Sequence, residues 1–189
     1  MSTSIMRKNL PYDSRQRRHE LGEQGELNVG KLLCEYFGHR KVSYKFEGYS
    51  EGTNGYPDLV LKLNPPIAIE IKSMAPFTKK KNRRGIYKSA GYVAIKRSQW
   101  YEQLKFAKDR LAKLILIVEV RLKDKGLYFW FDSEQIEKYM KIREGERIHI
   151  HLDDVFNEGR SLIYPDEVKY LEHWNINTPV DNDYQRNIV

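Results

Sequence analysis

The spacing of apolar positions predicts an order of helices and strands along the first two thirds of the chain. Helical spacing over residues 14–38 defines one buried stripe, formed by Val29, Leu32, Leu33, Tyr36 and Phe37. Short apolar runs predict strands, and renewed helical spacing predicts a second helix with Ser98 as its N-cap. The strands cover residues 42–47, 59–61, 67–69, 92–96 and 114–120, and the second helix covers residues 99–111. This order is typical of an α/β fold with a mixed central β-sheet flanked by helices.

The last third of the chain has a weaker pattern. It predicts a strand over 127–131, a short helix over 133–140 with Ser133 as its N-cap, and an alternating strand over 147–152. We expect these elements to extend the same sheet.

Length and composition support one main domain. The 189 residues are 40% hydrophobic and 31% charged, which is the profile of a globular domain with a sizeable core. We expect a flexible N-terminus over 1–13, a core over 14–152, and a partly irregular C-terminal extension over 153–189.

Charged residues stand beside two apolar runs that form a predicted hairpin. Asp58 opens the first run, Glu70 and Lys72 follow the second, and residues 64–66 (Asn-Pro-Pro) supply the turn. Because a hairpin brings the start of one strand beside the end of the next, Asp58 should lie close to Glu70 and Lys72. Glu70 and Lys72 share a strand face, with Cα atoms about 6.6 Å apart.

Ionised groups among apolar neighbours are costly unless they are paired or bind a metal. Two carboxylates beside a lysine suit Mg²⁺ or Mn²⁺, with water and phosphate oxygens completing the coordination shell. In the alternative, Asp58 caps a turn, and Glu70 and Lys72 form an ordinary ion pair on a solvated face. That alternative leaves the apolar flanks on both strands unexplained.

Pro57-Asp58 followed by Glu70-Ile71-Lys72 resembles the motif of the PD-(D/E)xK nuclease superfamily, the restriction-endonuclease-like proteins, and is most similar to archaeal Holliday junction resolvases. The resemblance covers about residues 14–121 and implies a restriction-endonuclease-like fold. It implies Asp58, Glu70 and the Ile71 carbonyl as metal ligands, and Lys72 as a catalytic residue. A resolvase would also be a homodimer that presents two sites across a junction.

Glu26 is the further acidic candidate. It lies one turn before Val29 and seven residues before Leu33, so the helical pattern turns it toward the core. By resemblance it matches the helix glutamate of the resolvases and completes the metal shell. Gly22 and Gly25 beside it would let another backbone or DNA come close. The alternative is a surface ion pair at the edge of the stripe.

Two glutamines of the second predicted helix are weaker candidates. Gln99 falls where related nucleases carry a glutamine, but we favour an exposed surface amide at this position. Gln103 offers still less support for a role in the site.

Positive charge is concentrated just after the motif. Residues 73–97 contain eight basic residues and no acidic residue, whereas the whole chain carries a net charge of +7. We predict a loop over 73–91 that binds DNA phosphates through Lys79, Lys80, Lys81, Arg83, Arg84 and Lys88. The alternatives are a solvated basic turn without a partner and a localisation signal.

Several classes of protein are disfavoured. No apolar run approaches the length of a membrane span, and no secretory signal stands at the N-terminus. The single cysteine, Cys34, is expected to be a core thiol. His149 and His151 share a strand face without further ligands at metal-binding spacing, so we expect exposed histidines. We therefore expect an intracellular, cytoplasmic protein associated with the nucleoid.

Taken together, the residues and the resemblance predict a Mg²⁺-dependent endodeoxyribonuclease. It would hydrolyse phosphodiester bonds of branched, Holliday-junction-like DNA in recombination or repair. One alternative is a restriction-type or repair endonuclease acting on linear DNA. Another is a nucleic-acid-binding protein without catalysis.

Overall fold

The computed structural model describes residues 14–43, 56–82, 85–123, 125–142 and 144–177, and the side chains among them other than those of 14–19 and 78–89. The predicted flexible N-terminus and the residues from Pro179 onward lie outside these ranges. So do Arg83, Arg84 and residues 44–47 of the strand predicted over 42–47.

Five helices and ten strands occur in this part of the chain. In chain order they are α1 (Ser14–Phe37), β1 (Val42–Ser43), β2 (Leu59–Leu61), β3 (Ile67–Met74), β4 (Phe77–Asn82), β5 (Gly85–Ala90), β6 (Tyr92–Lys96), α2 (Arg97–Asp109), β7 (Lys113–Arg121), β8 (Gly126–Asp132), α3 (Ser133–Ile142), β9 (Arg147–His151), α4 (Leu152–Glu158), β10 (Arg160–Ser161) and α5 (Pro165–Asn177).

Six strands form the central sheet, in the order β1-β2-β3-β7-β8-β10. The β3–β7 pair is parallel, with Glu70 opposite Leu116, and the other described pairs of this sheet are antiparallel. The predicted α/β class with a mixed central sheet flanked by helices is therefore confirmed.

The central sheet has a hydrophobic cluster on each face because side chains alternate along β7. Leu116 and Val118 belong to the cluster that includes residues of α2, α3 and α4. Ile115 and Ile117 belong to the cluster that includes residues of α1 and α5. Cys34 of α1 is buried in the second cluster, as expected for a core thiol, and this burial raises the pKa of its thiol.

The strand predicted at the end of the core does not extend the central sheet. β9 pairs antiparallel with β6, with Tyr92 opposite His151 and Lys96 opposite Arg147. The expectation of one continuous sheet is therefore wrong for β9. It holds for β8, which adds to the central sheet beyond β7, and the short β10, which the pattern did not predict, pairs with β8.

The basic segment is a β-hairpin, so the predicted loop over 73–91 is wrong in its secondary structure. β4 and β5 pair antiparallel, from Phe77 opposite Ala90 to Asn82 opposite Gly85. At the base of this hairpin, the N–H of Gly91 donates to the carbonyl of Pro76 at 2.9 Å. A Cβ at Gly91 would overlap the carbonyl oxygen of Ala75, so only glycine fits this close approach.

Both predicted serine caps are wrong. α2 begins at Arg97 with Lys96 at the cap position, which places Ser98 inside the first turn. At the start of α3, Oδ1 of Asp132 accepts from the N–H of Gln135 at 2.9 Å, and Oε1 of Gln135 accepts from the N–H of Asp132 at 3.1 Å. This reciprocal pair makes Asp132 the cap, because its carboxylate satisfies a helix N–H that Ser133 does not.

The C-terminal helix is tied to the turn that precedes β3. Nζ of Lys113 donates to the carbonyl of Asn175 and lies 3.4 Å from that of Trp174. Nδ2 of Asn175 donates to the carbonyl of Pro65 at 2.7 Å. A cation at the carbonyl end of a helix is favourable, so Lys113 stabilises the end of α5 against the sheet.

Candidate active site

The β2–β3 hairpin brings the start of β2 to the end of β3. Leu59 pairs with Ile69, and Oδ2 of Asp58 accepts a hydrogen bond from the N–H of Ile71 at 2.7 Å. The predicted approach of Asp58 to the Glu70-Ile71-Lys72 segment is therefore present in the structure.

Glu70 is fully buried and is the acceptor at the centre of the site. Its Oε1 accepts from Nζ of Lys72 and from Nε2 of Gln99, the latter at 3.1 Å. Its Oε2 accepts from Nε2 of Gln103. A buried carboxylate needs such donors, and here one ammonium and two amides hold it in a single orientation.

Gln103 is a site residue that sequence reasoning undervalued. It is fully buried, and its Nε2 also donates to the carbonyl of Tyr56 at 3.1 Å. Gln99 is half-buried and contacts Glu70, so the surface-amide interpretation of Gln99 is wrong. Four-residue spacing places both amides on one side of α2, next to the buried Trp100. That spacing beside an apolar stripe is the signal that could have identified the pair.

Negative charge exceeds positive charge at this end of the sheet. Burial and the neighbouring charge of Glu70 raise the pKa of Asp58 well above its ordinary value, although Lys72 and the Ile71 N–H oppose this shift. Burial would lower the pKa of Lys72, but the charges of Glu70 and Asp58 outweigh it and the pKa of Lys72 is raised. One ammonium thus serves two carboxylates, and a further cation would relieve the imbalance.

Glu26 approaches the site from another layer. It is partly buried on α1, whose buried residues pack on the face opposite α2, and its charge acts on both Asp58 and Lys72. Among the described residues, however, no three acidic, histidine or cysteine side chains are grouped as a metal centre requires. The structure therefore places Glu26 near the predicted ligands without making it part of a three-ligand group.

The oxygen atoms present suit a hard divalent cation. Asp58, Glu70 and the Ile71 carbonyl present oxygen atoms, the ligand type that Mg²⁺ and Mn²⁺ prefer. Nζ of Lys72 donates to the Ile71 carbonyl at 3.2 Å as well as to Glu70. The ammonium therefore contacts two of the oxygens that the prediction assigns to the metal, which indicates that this position favours a cation.

A buried polar network holds α1 against the same end of the sheet. Glu119 of β7 is almost fully buried and accepts from Nδ2 of Asn28, from Oγ of Ser73 and from Nε of Arg121. Nη2 of Arg121 donates to the carbonyl of Leu21 on α1. These contacts fix the helix turn that precedes Glu26.

The two glycines of α1 differ in their surroundings. A Cβ at Gly25 would overlap Oγ of Ser73, whereas a Cβ at Gly22 would meet no atom within 4 Å. A close approach therefore exists at Gly25, but its partner is a side chain of β3 and not the backbone or DNA that we predicted.

The basic candidates lie on the hairpin that follows β3. Lys79, Lys80 and Lys81 are on β4, and Lys88 is on β5 with its Cα paired to that of Lys79. Arg83 and Arg84 fall outside the described residues. On β9, His149 and His151 are exposed, as expected.

The fold and the site define an α/β protein with a carboxylate and lysine cluster at one end of a mixed sheet. No protein-family model matches the chain, and no curated protein sequence matches it. Among solved structures, it is similar to Hjc from Archaeoglobus fulgidus, a Holliday junction resolvase from an archaeal hyperthermophile. That similarity has a TM-score of 0.47 and 14% sequence identity, and covers 73% of this chain and 93% of Hjc. No helix in the described part of the chain is long and apolar enough to cross a bilayer.

Proposed function

We propose that this protein is a metal-dependent endonuclease that hydrolyses phosphodiester bonds in DNA inside the cell. The observation that carries the proposal is the cluster formed by Asp58, Glu70 and Lys72, where two carboxylates and one ammonium share one end of the sheet. We propose branched DNA, as at a Holliday junction, as the substrate, because the Pro57-Asp58 and Glu70-Ile71-Lys72 motifs resemble those of the resolvases.

In this proposal, Asp58, Glu70 and the Ile71 carbonyl would hold Mg²⁺ or Mn²⁺, and Glu26, which forms no three-ligand group with them among the described residues, would contribute through water. The chemistry supplied there by a bound divalent ion would be activation of a water and polarisation of the scissile phosphate. Gln99 and Gln103 keep the carboxylate of Glu70 in a fixed orientation.

Lys72 has a separate role in the proposed reaction. Its raised pKa keeps the ammonium charged at neutral pH, since a raised lysine pKa favours the protonated form. Lys72 therefore can donate a hydrogen bond to the attacking water or to a phosphate oxygen as negative charge develops there.

The basic hairpin would supply much of the binding energy. β4 and β5 carry Lys79, Lys80, Lys81 and Lys88 a few residues beyond Lys72. Lysines that neutralise phosphates release counterions from DNA, so they give affinity that depends on salt and not on sequence. A homodimer would present two such sites to the two strands of a junction.

Cleavage of a substrate panel tests the proposal. Four-way junction, flap, linear duplex and single-stranded DNA are incubated with Mg²⁺, with Mn²⁺ or with a chelator. We expect junction cleavage that requires the metal, and a loss of at least about 100-fold for Asp58→Asn or Glu70→Gln with DNA binding retained. Glu102→Gln, an exposed position on α2, is the matched control and should cut like the parent.

Three other results would overturn part or all of the proposal. If Asp58→Asn cleaved DNA at the parental rate, the cluster would not be the catalytic site. If the protein preferred to cut linear duplex, it would be a restriction-type or repair endonuclease and not a junction-specific one. Binding of the panel without metal-dependent cleavage of any member would leave a nucleic-acid-binding protein without catalysis. Light scattering, which measures the mass in solution, tests the dimer.

A further inference from the structure

The β6–β9 ribbon has one buried face and one exposed face. Val93, Ile95, Ile148 and Ile150 are buried in the hydrophobic cluster that includes α2, α3 and α4. The alternate residues face away from this cluster, and all of them are exposed except the half-buried Ala94. They are Tyr92, Ala94 and Lys96 on β6, and Arg147, His149 and His151 on β9.

This exposed face combines aromatic rings with positive charge. The ring of Tyr92 lies 4.7 Å from that of His149 and 5.8 Å from that of His151. At the other end, Lys96 is the cross-strand partner of Arg147. Like charges at directly opposed strand positions repel each other, so an anion bound between these two side chains would be favourable.

No acidic residue belongs to either strand of the ribbon. The acids nearest in the chain are Glu146, before β9, and Asp153 and Asp154, in the first turn of α4. Oδ2 of Asp154 accepts from the backbone N–H of His151 at 2.9 Å, so this carboxylate is directed at the backbone. The two strands therefore place cations and rings on this face without a carboxylate of their own.

In the chain, the ribbon strand β6 lies between the basic hairpin and the helix that contacts Glu70. Its Tyr92 end follows Gly91, which is fixed to the base of the hairpin through Pro76. Its Lys96 end leads directly into α2, where Gln99 donates to Glu70 at 3.1 Å. The strip between Tyr92 and Lys96 is about 13 Å long, at about 3.3 Å per residue.

We propose that this face binds an unpaired segment of DNA and leads it from the hairpin to the Glu70 cluster. Lys96 and Arg147 contact its phosphates, and its bases stack on Tyr92, His149 and His151. Exposed rings on a basic sheet are suited to unpaired bases, because every base has a face that can stack. The proposal deepens the proposed function, on which the identity of the nucleic acid rests.

Binding measured by fluorescence anisotropy in the presence of a chelator tests this surface without cleavage. The full chain is titrated with single-stranded DNA, with a junction that carries an unpaired arm, and with linear duplex. For Tyr92→Leu we expect single-strand affinity about 5- to 100-fold weaker, with duplex binding close to that of the parent. Tyr92→Phe retains the ring and should bind like the parent.

The charged end is tested through salt dependence. For Lys96→Gln with Arg147→Gln, the slope of log affinity against log salt for single strands should become shallower by about 1.4. Lys138→Gln with Lys141→Gln removes two exposed charges from α3 and should leave the slope unchanged. Thermal melting of each variant establishes that the fold is retained.

These measurements distinguish failure of the ribbon proposal from failure of the proposed nuclease activity. Parental single-strand affinity in Tyr92→Leu, together with a parental salt slope in the Lys96 and Arg147 variant, would overturn the ribbon proposal even if Mg²⁺-dependent cleavage occurs. Loss of single-strand binding in these variants would support it, including in a protein that proves to have no nuclease activity.

Discussion

The ammonium of Lys72 donates to the carboxylate of Glu70, two residues earlier on the same strand and face. It also donates to the carbonyl of Ile71 at 3.2 Å. The lysine therefore holds the oxygens that we assign to a metal, and metal binding must compete with it or share Glu70 with it.

Lys72→Met should separate these effects. Without metal, we expect the variant to be about 1–3 kcal/mol less stable than the parent, because buried Glu70 loses a charged donor. In a Mg²⁺ titration followed by thermal melting, the variant should gain more stability than the parent, because no ammonium competes for the oxygens. An equal gain in both proteins would show that Lys72 does not compete with the ion. Cleavage by the variant should be lost in either case.

Gly22 and Gly25 offer a matched pair of substitutions on α1. Gly22→Ala should stabilise the protein by about 1 kcal/mol, since alanine favours a helix and the added Cβ meets nothing. Gly25→Ala should destabilise it by about 1–3 kcal/mol, since the Cβ overlaps Ser73 and disturbs the network around Glu119. Chemical denaturation measures both, and effects of the same sign would contradict the described packing of α1.

Asp58→Asn should change the pH dependence of stability. Burial and the charge of Glu70 raise the pKa of Asp58, so the folded state binds this proton more tightly than the unfolded state. The carboxyl group therefore stabilises the fold fully below its unfolded pKa, and that stability is lost as pH rises through the folded pKa.

In metal-free buffer at neutral pH, Asp58→Asn should melt at a higher temperature than the parent, and the difference should vanish below about pH 4. Melting curves across pH measure this, with the exposed Asp109→Asn as control. A variant less stable than the parent at neutral pH would mean that Lys72 and the Ile71 N–H outweigh burial.

Substitution of Gln103 should reduce the stability of the fold more than substitution of Gln99. Gln103→Leu leaves Oε2 of buried Glu70 and the Tyr56 carbonyl without their amide donor, which should cost about 1–3 kcal/mol of stability. Gln99→Ala should cost less, because Gln99 is half-buried and Lys72 also donates to Oε1. We expect Mg²⁺ affinity, measured by calorimetry, to fall about 10- to 100-fold in Gln103→Leu. Equal losses of stability in the two variants would contradict the greater role that the contacts assign to Gln103.

Neutralising Lys79, Lys80 and Lys81 to glutamine tests the hairpin. If all three contact phosphates of duplex DNA, the slope of log affinity against log salt should become shallower by about 2.7. The Lys138 and Lys141 double variant again serves as the control. A slope equal to that of the parent would show that the lysines of β4 do not contact DNA phosphates.

Local sequence patterns predicted the β2–β3 hairpin of the site correctly, but they did not predict how the neighbouring strand β9 pairs. Asp58 could be placed beside Glu70 because a short turn and two apolar runs determine a hairpin by themselves. The partner of β9 could not be predicted, because the alternation of Ile148 and Ile150 fits any sheet with one buried face.

The buried polar residues around the site also escaped prediction. Gln103 is separated from Glu70 by 33 positions, and Glu119 from Asn28 by 91. Their burial depends on partners that only the tertiary structure supplies, whereas a polar residue in the sequence is by default expected at the surface. The hairpin was mistaken for a loop because residues 77–82 (Phe-Thr-Lys-Lys-Lys-Asn) contain three consecutive lysines and lack the alternation of apolar and polar residues typical of a strand.

The attachment of Asn175 to Pro65 affects how far the protein could be shortened. α5 covers Trp130 through Trp174, whose ring lies 4.9 Å away, and contributes the buried Val168 and Leu171. A truncated version ending after α4 would leave this apolar surface in water and the turn before β3 without its anchor. Residues 165–177, which form α5, are thus a structural requirement for the packing of the central sheet, and not a removable tail.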